Sequence, residues 1–467
     1  MLLTNAQPGT IIGGVNSRTS RPSRAILPRS FAKDYPVAAR SDGSRIWDIQ
    51  GREFIDLSGC AAVNFIGFGV EDVVDAMTEQ AGRLPFVHSS QFTTEIAERF
   101  AAEVLEFAGP AFEGGAVFFT CGGSEAVETA LKLARQYQIE DGHADRFEII
   151  SRQQAYHGAT LGALAVSGNP GRRAPYLAMV REFEHIRIPY CYRCEFQCED
   201  CGHKYAEELR SAIAHSAGRA AAFIGEPMSG ATLGAVAPPA NYWPEIASIC
   251  REHGLLLIAD EVMTGFGRTG RNFAMEHWNV APDILVAGKG IGSGYAPLGA
   301  VITSRRVVDT IAQGSGMLIH GFTYNAHPVS MASGSAVLDR IRGAELVKAA
   351  DSEHGIIGKP FREALQQLKN FAAVGDVRGR GLLWGVEFVQ DRASKKPFPA
   401  EAKFASQVSA AALKRGVLTY PMQGSVDGKS GDHILLAPPA VELDRLLEGL
   451  QLLGEAISEA ANHAARS

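Results

Sequence analysis

The sequence predicts an α/β fold: a mostly parallel central sheet in a large domain, plus a smaller α+β domain built from both chain ends. Three observations carry this. Between residues 116 and 303, apolar strand-like runs alternate with helical patterns. Runs apolar on both faces belong to parallel sheets covered by helices. After Pro328 the order changes to long helices followed by a hairpin-like segment. Near the N-terminus two short strand-like runs stand alone, too short to be stable without partners from elsewhere.

Taken in order, "RIWDIQ" and "EFIDLS" read as a strand pair with Gly51 at the turn. The central strands are "AVFFT" (116–120), "RFEIIS" (146–151), "AAAFIGE" (220–226), "LLLIADE" (255–261), "DILVAGK" (283–289) and "LGAVIT" (298–303). Between them, residues 124–137 place Ala126, Ala130, Leu133 and Tyr137 on one helical face. A second helix, 242–254, ends at Gly254. Beyond Pro328 come helices at 329–342 and 344–370, a hairpin-like segment at 374–389, a helix at 401–415, the strand "HILLA" (433–437) and a last helix. This divides the chain into an N-terminal segment of the small domain (1–72), a large domain (73–328) and a C-terminal small domain (329–467).

Composition excludes several classes. With 467 residues, 46 % of them hydrophobic, the chain can bury a large core without disulfide staples. Its 45 basic and 51 acidic residues leave a charge of −6. No basic field draws nucleic acid or a membrane surface. No apolar run approaches the ~20 residues of a spanning helix. The stretch to Lys33 is acid-free and carries Arg18, Arg21, Arg24 and Arg29, but it lacks the amphipathicity of a transit segment. Seven cysteines, odd and sparse, fit reduced thiols in a cytoplasm.

Chemistry-bearing residues gather at predicted strand ends, where open α/β sheets bind ligands. Asp260 and Glu261 end one strand, and a carboxylate there is costly without a partner. Lys289 ends another, between two glycines; desolvated, it becomes a Schiff-base nucleophile, and an Asp–Lys ion pair is the other reading. Gly122, Gly123 and Ser124 lead from a strand into a helix, an arrangement whose free amides and dipole suit an anion. Tyr156 and His157 follow a strand, where an aromatic can stack on a planar ring or simply pack in the core.

Together with "GGSEAVETALKLAR", "YHGAT", "GEPMSGATLG", "HGFTYNAHPVS" and "VRGRGLLWGVE", the long block 255–301 closely resembles the class III aminotransferases, from about residue 40 to 440. The resemblance implies the fold-type I architecture, pyridoxal 5′-phosphate as cofactor, and no metal. Lys289 matches the lysine that carries the cofactor and moves protons. Asp260 matches the partner of its pyridinium nitrogen. Gly122, Gly123 and Ser124 match the phosphate-binding helix start. Tyr156 and Val262 match contacts on the two ring faces. Thr323 matches a phosphate ligand supplied by a neighbouring subunit, which implies a homodimer with shared sites, able to pair into a tetramer. Glu226 and Arg378 match a pair in which the arginine binds a substrate carboxylate and the glutamate masks it; a fixed structural salt bridge is the alternative. The apolar segment 59–69, with Phe65 and Phe68, matches the pocket for an aliphatic or aromatic substrate body.

The implied activity is transfer of an amino group from an amine or ω-amino acid to a keto acid, with pyruvate expected, in ping-pong fashion. Racemases, epimerases, aminomutases and phospho-lyases share the same lysine and aspartate. Two departures stand out. Tyr420 lies about where many ω-aminotransferases carry a second arginine, and Met263 replaces a glutamine present in some members. Separately, Cys191, Cys194, Cys198 and Cys201 are spaced C-x2-C-x3-C-x2-C with His203 nearby, a spacing compatible with zinc, with an iron–sulfur cluster or with a plain insertion loop.

Overall fold

The computed structural model describes residues 25–196 and 201–464. Its main sheet has seven strands: β4 (Ala116–Thr120), β5 (Glu148–Arg152), β6 (His185–Ile186), β7 (Ala220–Gly225), β8 (Leu256–Asp260), β9 (Ile284–Ala287) and β10 (Gly299–Thr303), in the order β4-β10-β9-β8-β7-β5-β6. Neighbours pair in parallel from β6 through β9, and β10 alone runs antiparallel to both its neighbours. The β7, β8 and β9 strands are buried along their whole length. That is why they read as unbroken apolar runs rather than as an alternation.

Helix Gly123–Glu140 packs on this sheet. Ala126, Ala130, Leu133 and Tyr137 are all buried, as the 3.6-residue period requires. Helix Tyr242–His253 ends at Gly254, which takes φ 70°, a left-handed cap open to glycine at little cost.

Before the main sheet, β1 (Ala38–Asp42), β2 (Arg45–Asp48) and β3 (Glu53–Asp56) form an antiparallel meander. After it come β11 (Val374–Arg380), β12 (Leu383–Phe388), β13 (Val417–Leu418), β14 (Tyr420–Gln423) and β15 (Asp432–Leu436). β13 pairs in parallel with β3, so the N-terminal strands are completed by a segment more than 350 residues away, as their isolation in the sequence suggested. The others form a second four-stranded sheet, β11-β12-β15-β14.

Two expectations are corrected. The helix expected over 344–370 is broken into Leu346–Ala350, Gly358–Gln366 and a 3₁₀ turn at Gln367–Asn370. Gly358 sits so close to the preceding segment that a Cβ would lie 2.1 Å from the Ala350 carbonyl oxygen, so the chain folds back here. β14 forms where a loop was expected, its edge pairing decided by β15 rather than by its own pattern. Among the described residues no helix is long and apolar enough to cross a membrane.

Candidate active site

Five strands that run the same way, β4, β5, β7, β8 and β9, deliver their C-terminal ends to one cavity of about 210 Å³. It is lined by Gly123, Ser124, Tyr156, His157, Gly158, Glu226, Asp260, Val262, Met263 and Lys289. Residues spread over some 165 positions thus converge because parallel strands share one carboxyl edge.

Lys289 follows β9 at φ 46°, a left-handed conformation that costs a side-chain-bearing residue about 1–3 kcal/mol. The flanking backbone turns through Gly288 and Gly290 and fixes this geometry. Burial pushes the amine down to about 8; the Asp260 and Glu226 carboxyls oppose the shift, and the Arg268 and Arg172 charges add to it. A fraction of Lys289 is therefore a neutral nucleophile near neutral pH.

Asp260 and Glu261 are adjacent but do different work, because consecutive residues of an extended strand point to opposite sides. Asp260 faces the cavity. Its Oδ1 accepts the Val262 amide at 3.1 Å and its Oδ2 takes the Nδ1 hydrogen of His157 at 2.7 Å. His157 is itself fixed: its amide donates to Ser167 Oγ at 2.8 Å, and Nε2 lies 3.3 Å from Ser151 Oγ. Glu261 turns away and accepts from Thr264 Oγ1 and from the Ala274 and Met275 amides. Burial lifts its carboxyl to about 7.

The opposite wall is the start of helix Gly123–Glu140, capped by Gly122, where first-turn amides have no helical acceptors. Glycine is needed at 123: a Cβ there would come within 2.9 Å of Val262 Cγ1. It is needed again at 158, at φ 144°, where a Cβ would sit 2.6 Å from Ser124 Oγ. That close approach lets Ser124 Oγ accept the Ala159 amide at 3.0 Å, tying the Tyr156–His157 loop to the helix start.

Glu226 is buried at the end of β7. Its Oε1 accepts the Gly230 amide at 3.1 Å, while Oε2 is buried without a hydrogen-bond partner. Burial raises its pKa. An orphaned buried acceptor beside a depressed lysine, a carboxyl held by histidine, and a helix start fit a planar, phosphate-bearing cofactor.

The expected residues divide. Gly123, Ser124, Tyr156, Glu226, Asp260, Val262 and Lys289 come together in the cavity, and Gly122 caps the helix beside it. The expected Glu226–Arg378 pair is not formed. Arg378 instead lines a separate cleft of about 490 Å³ and donates to Asp376 at 3.0 Å, Glu387 at 2.8 Å, Tyr190 Oη at 3.0 Å and the Leu233 carbonyl. It lies on β11 of the second sheet, next to β12, and the Glu387 carboxylate there claims it. Phe65 does not line the cavity. It is fully buried in the core, with the Arg268 guanidinium 5.0 Å from its ring centre, and Phe68 is half-buried beyond it. Thr323 is exposed and outside this chain's own cavity. Tyr420 is half-buried on β14. Cys198 lies outside the described residues; Cys194 Sγ accepts from Tyr205 Oη at 3.8 Å, and His203 pairs with Glu245. Among the described residues no group of three or more His, Cys, Asp or Glu could hold a metal.

His157 is a cavity residue, bonded to Asp260, to which sequence reasoning gave no role. Its neighbour Tyr156 drew attention, but nothing in the sequence joins His157 to a carboxylate 103 positions on.

A family model described as aminotransferase class-III matches residues 30–451. An uncharacterized aminotransferase of Bacillus subtilis, YodT, is 39 % identical over 92 % of this chain and 96 % of its own length. Vanillin aminotransferase of Capsicum annuum is 32 % identical, covering 91 % of each chain. Among solved structures, a thermostable (S)-enantioselective omega-transaminase from Thermomicrobium roseum superposes with TM-score 0.85 at 34 % identity, over 94 % of this chain and 96 % of that one. An amine transaminase from an uncultivated Pseudomonas species, solved with PLP bound, gives TM-score 0.84 at 34 % identity, over 96 % and 98 %.

Proposed function

The chain belongs to the class-III aminotransferases, enzymes of the transferase class with the fold-type I architecture, and from that we propose that it moves an amino group from an amine or ω-amino acid to a keto acid such as pyruvate, in ping-pong fashion, with pyridoxal 5′-phosphate as cofactor. The observation that supports this best is the convergence of Lys289, Asp260, His157, Tyr156 and the helix start at Gly123 on one cavity.

When bound, the cofactor supplies an electron sink for the charge left by removal of a C–H proton. The rest is done by the chain. Lys289 Nζ would hold the cofactor covalently between turnovers. Once free, the same amine would take a proton from one carbon and return it to another, which its depressed pKa suits. Asp260, braced by His157 and the Val262 amide, holds a negative charge where the ring nitrogen must stay protonated. The helix start and Ser124 bind phosphate. Tyr156 and Val262, both lining the cavity, would contact the two faces of the ring.

The site is completed in a homodimer on this reading. Thr323 is exposed in a segment with Met317, Ile319 and Tyr324 also exposed, and Tyr324 packs edge-on against the exposed Phe86 at 5.6 Å. Such an apolar band suits a second copy that receives Thr323 as a phosphate ligand.

The test is the absorption spectrum of purified holoenzyme. The visible cofactor band should bleach with an amine or ω-amino acid alone and return on adding pyruvate. A band that persists while an amino acid is racemised or eliminated would replace transamination by one of those reactions.

A further inference from the structure

Aminotransfer to a keto acid places a carboxylate in the site, and a carboxylate in a half-buried cavity calls for a fixed cation. The arginines near the cavity can be sorted by what they already hold. Arg378 gives both terminal nitrogens to Asp376, Glu387, Tyr190 and Leu233, and its Nε is sealed in the protein. Arg268 is fully buried and donates to the carbonyls of Asn64, Ala437 and Pro438. Arg152 is buried against Trp243 and donates to the Glu226 carbonyl.

Arg172 differs from all three. Its guanidinium carbon lies 4.2 Å from the centre of the Tyr156 ring, a ring that lines the cavity. Stacking uses the face of the guanidinium and leaves its N–H donors available. Their one protein contact among the described residues is Nη2 to Met422 Sδ at 3.9 Å, a weak acceptor. No carboxylate among the described residues lies within 4 Å of Arg172. None of its nitrogens is sealed in the protein without a partner, so the unused donors face solvent or the cavity. The backbone is held as well: the Arg172 amide donates to Asn169 Oδ1 at 3.1 Å. Met422 lies on β14, two residues from Tyr420, so Arg172 reaches the segment that carries no arginine of its own.

The geometry points to Arg172 as the specificity-determining residue of this site: an arginine stacked on Tyr156 that binds the carboxylate of an ω-amino acid donor or keto acid acceptor. The inference rests on the proposed aminotransfer and names the substrate class within it. A donor with a carboxylate remote from its amine, rather than a plain amine, is then the better substrate.

The experiment uses holoenzyme carrying Arg172→Gln and Arg172→Lys, with retention of the visible cofactor band as the check on folding. Steady-state and half-reaction kinetics are read with 4-aminobutyrate and pyruvate, and with 1-phenylethylamine and an aldehyde acceptor. Loss of charge-assisted hydrogen bonds should lower kcat/KM for the carboxylate-bearing pair about 10–100-fold in Arg172→Gln, through KM. The uncharged pair should stay within about twofold, and Arg172→Lys should recover part of the loss. An equal fall for both pairs would make Arg172 a support for Tyr156 and overturn the assignment, as would no change for either or failure of the wild type to use any carboxylate-bearing substrate. A wild type that transfers no amino group at all would instead sink the aminotransferase reading, and this inference with it.

Discussion

Two clusters of buried charge differ in how far opposite charges are paired within them. At the carboxyl edge of the main sheet, Lys289 is depressed toward neutrality and Glu226 keeps an unpartnered oxygen. At the second sheet, Arg378, Asp376 and Glu387 pair with one another and with Arg193 and Tyr190 from the turn packed against it, and only Arg378 Nε is left buried without a partner among Arg378's nitrogens. Burial alone would raise the Glu387 carboxyl, but Arg378 and Arg193 outweigh it and hold the group below its usual range. The first cluster presents a near-neutral amine and an unpartnered carboxylate oxygen to a cavity; the second is a network of ion pairs. Charge count does not separate a site from a scaffold, whereas the pairing of opposite charges with one another does.

Substitutions should divide along the same line. Lys289→Ala should cut turnover by more than about 10³-fold, since both the covalent hold on the cofactor and the proton carrier go. It should leave stability unchanged or raised, because a buried cation is removed. Turnover near wild type would dissolve the comparison. Arg378→Ala should do the reverse: about 3–5 kcal/mol less stable in denaturant melts, with Glu387 left buried and short of a partner, while kcat of the folded fraction holds. A selective loss of carboxylate substrates in that variant would instead return Arg378 to substrate binding.

Smaller effects sharpen the contrast. His157→Ala should lower kcat about tenfold and leave the fold intact, because Asp260 keeps the Val262 amide but loses its 2.7 Å partner. A thermal unfolding curve unchanged alongside that loss identifies positioning rather than stability.

pH separates the clusters as well. The neutral fraction of Lys289 grows as pH rises through about 8, so covalent uptake of pyridoxal 5′-phosphate by apoprotein should quicken over that range, read by absorbance. Glu387, depressed in the folded state, contributes stability that is present above its ordinary carboxyl value and lost as pH falls through the lower folded value. Glu387→Gln should flatten that acid limb in urea melts.

Much of this was legible in the chain itself. The apolar runs of β7, β8 and β9 announce a buried parallel sheet because both their faces are covered. Lys289, Asp260 and Gly123 were visible because chemistry at a strand end puts a polar residue or a glycine where an apolar run stops. Local pattern also gave helix Gly123–Glu140 its buried face. What it could not give were partnerships. Which carboxylate claims Arg378, that Phe65 belongs to the core, that His157 braces Asp260, and that β14 leaves a loop to join β15 are all set by segments tens to hundreds of residues apart. Periodicity reports how a segment meets its surroundings. Only the folded chain decides which side chains compete for the same charge, because hydrogen bonds and ion pairs are won by proximity in space.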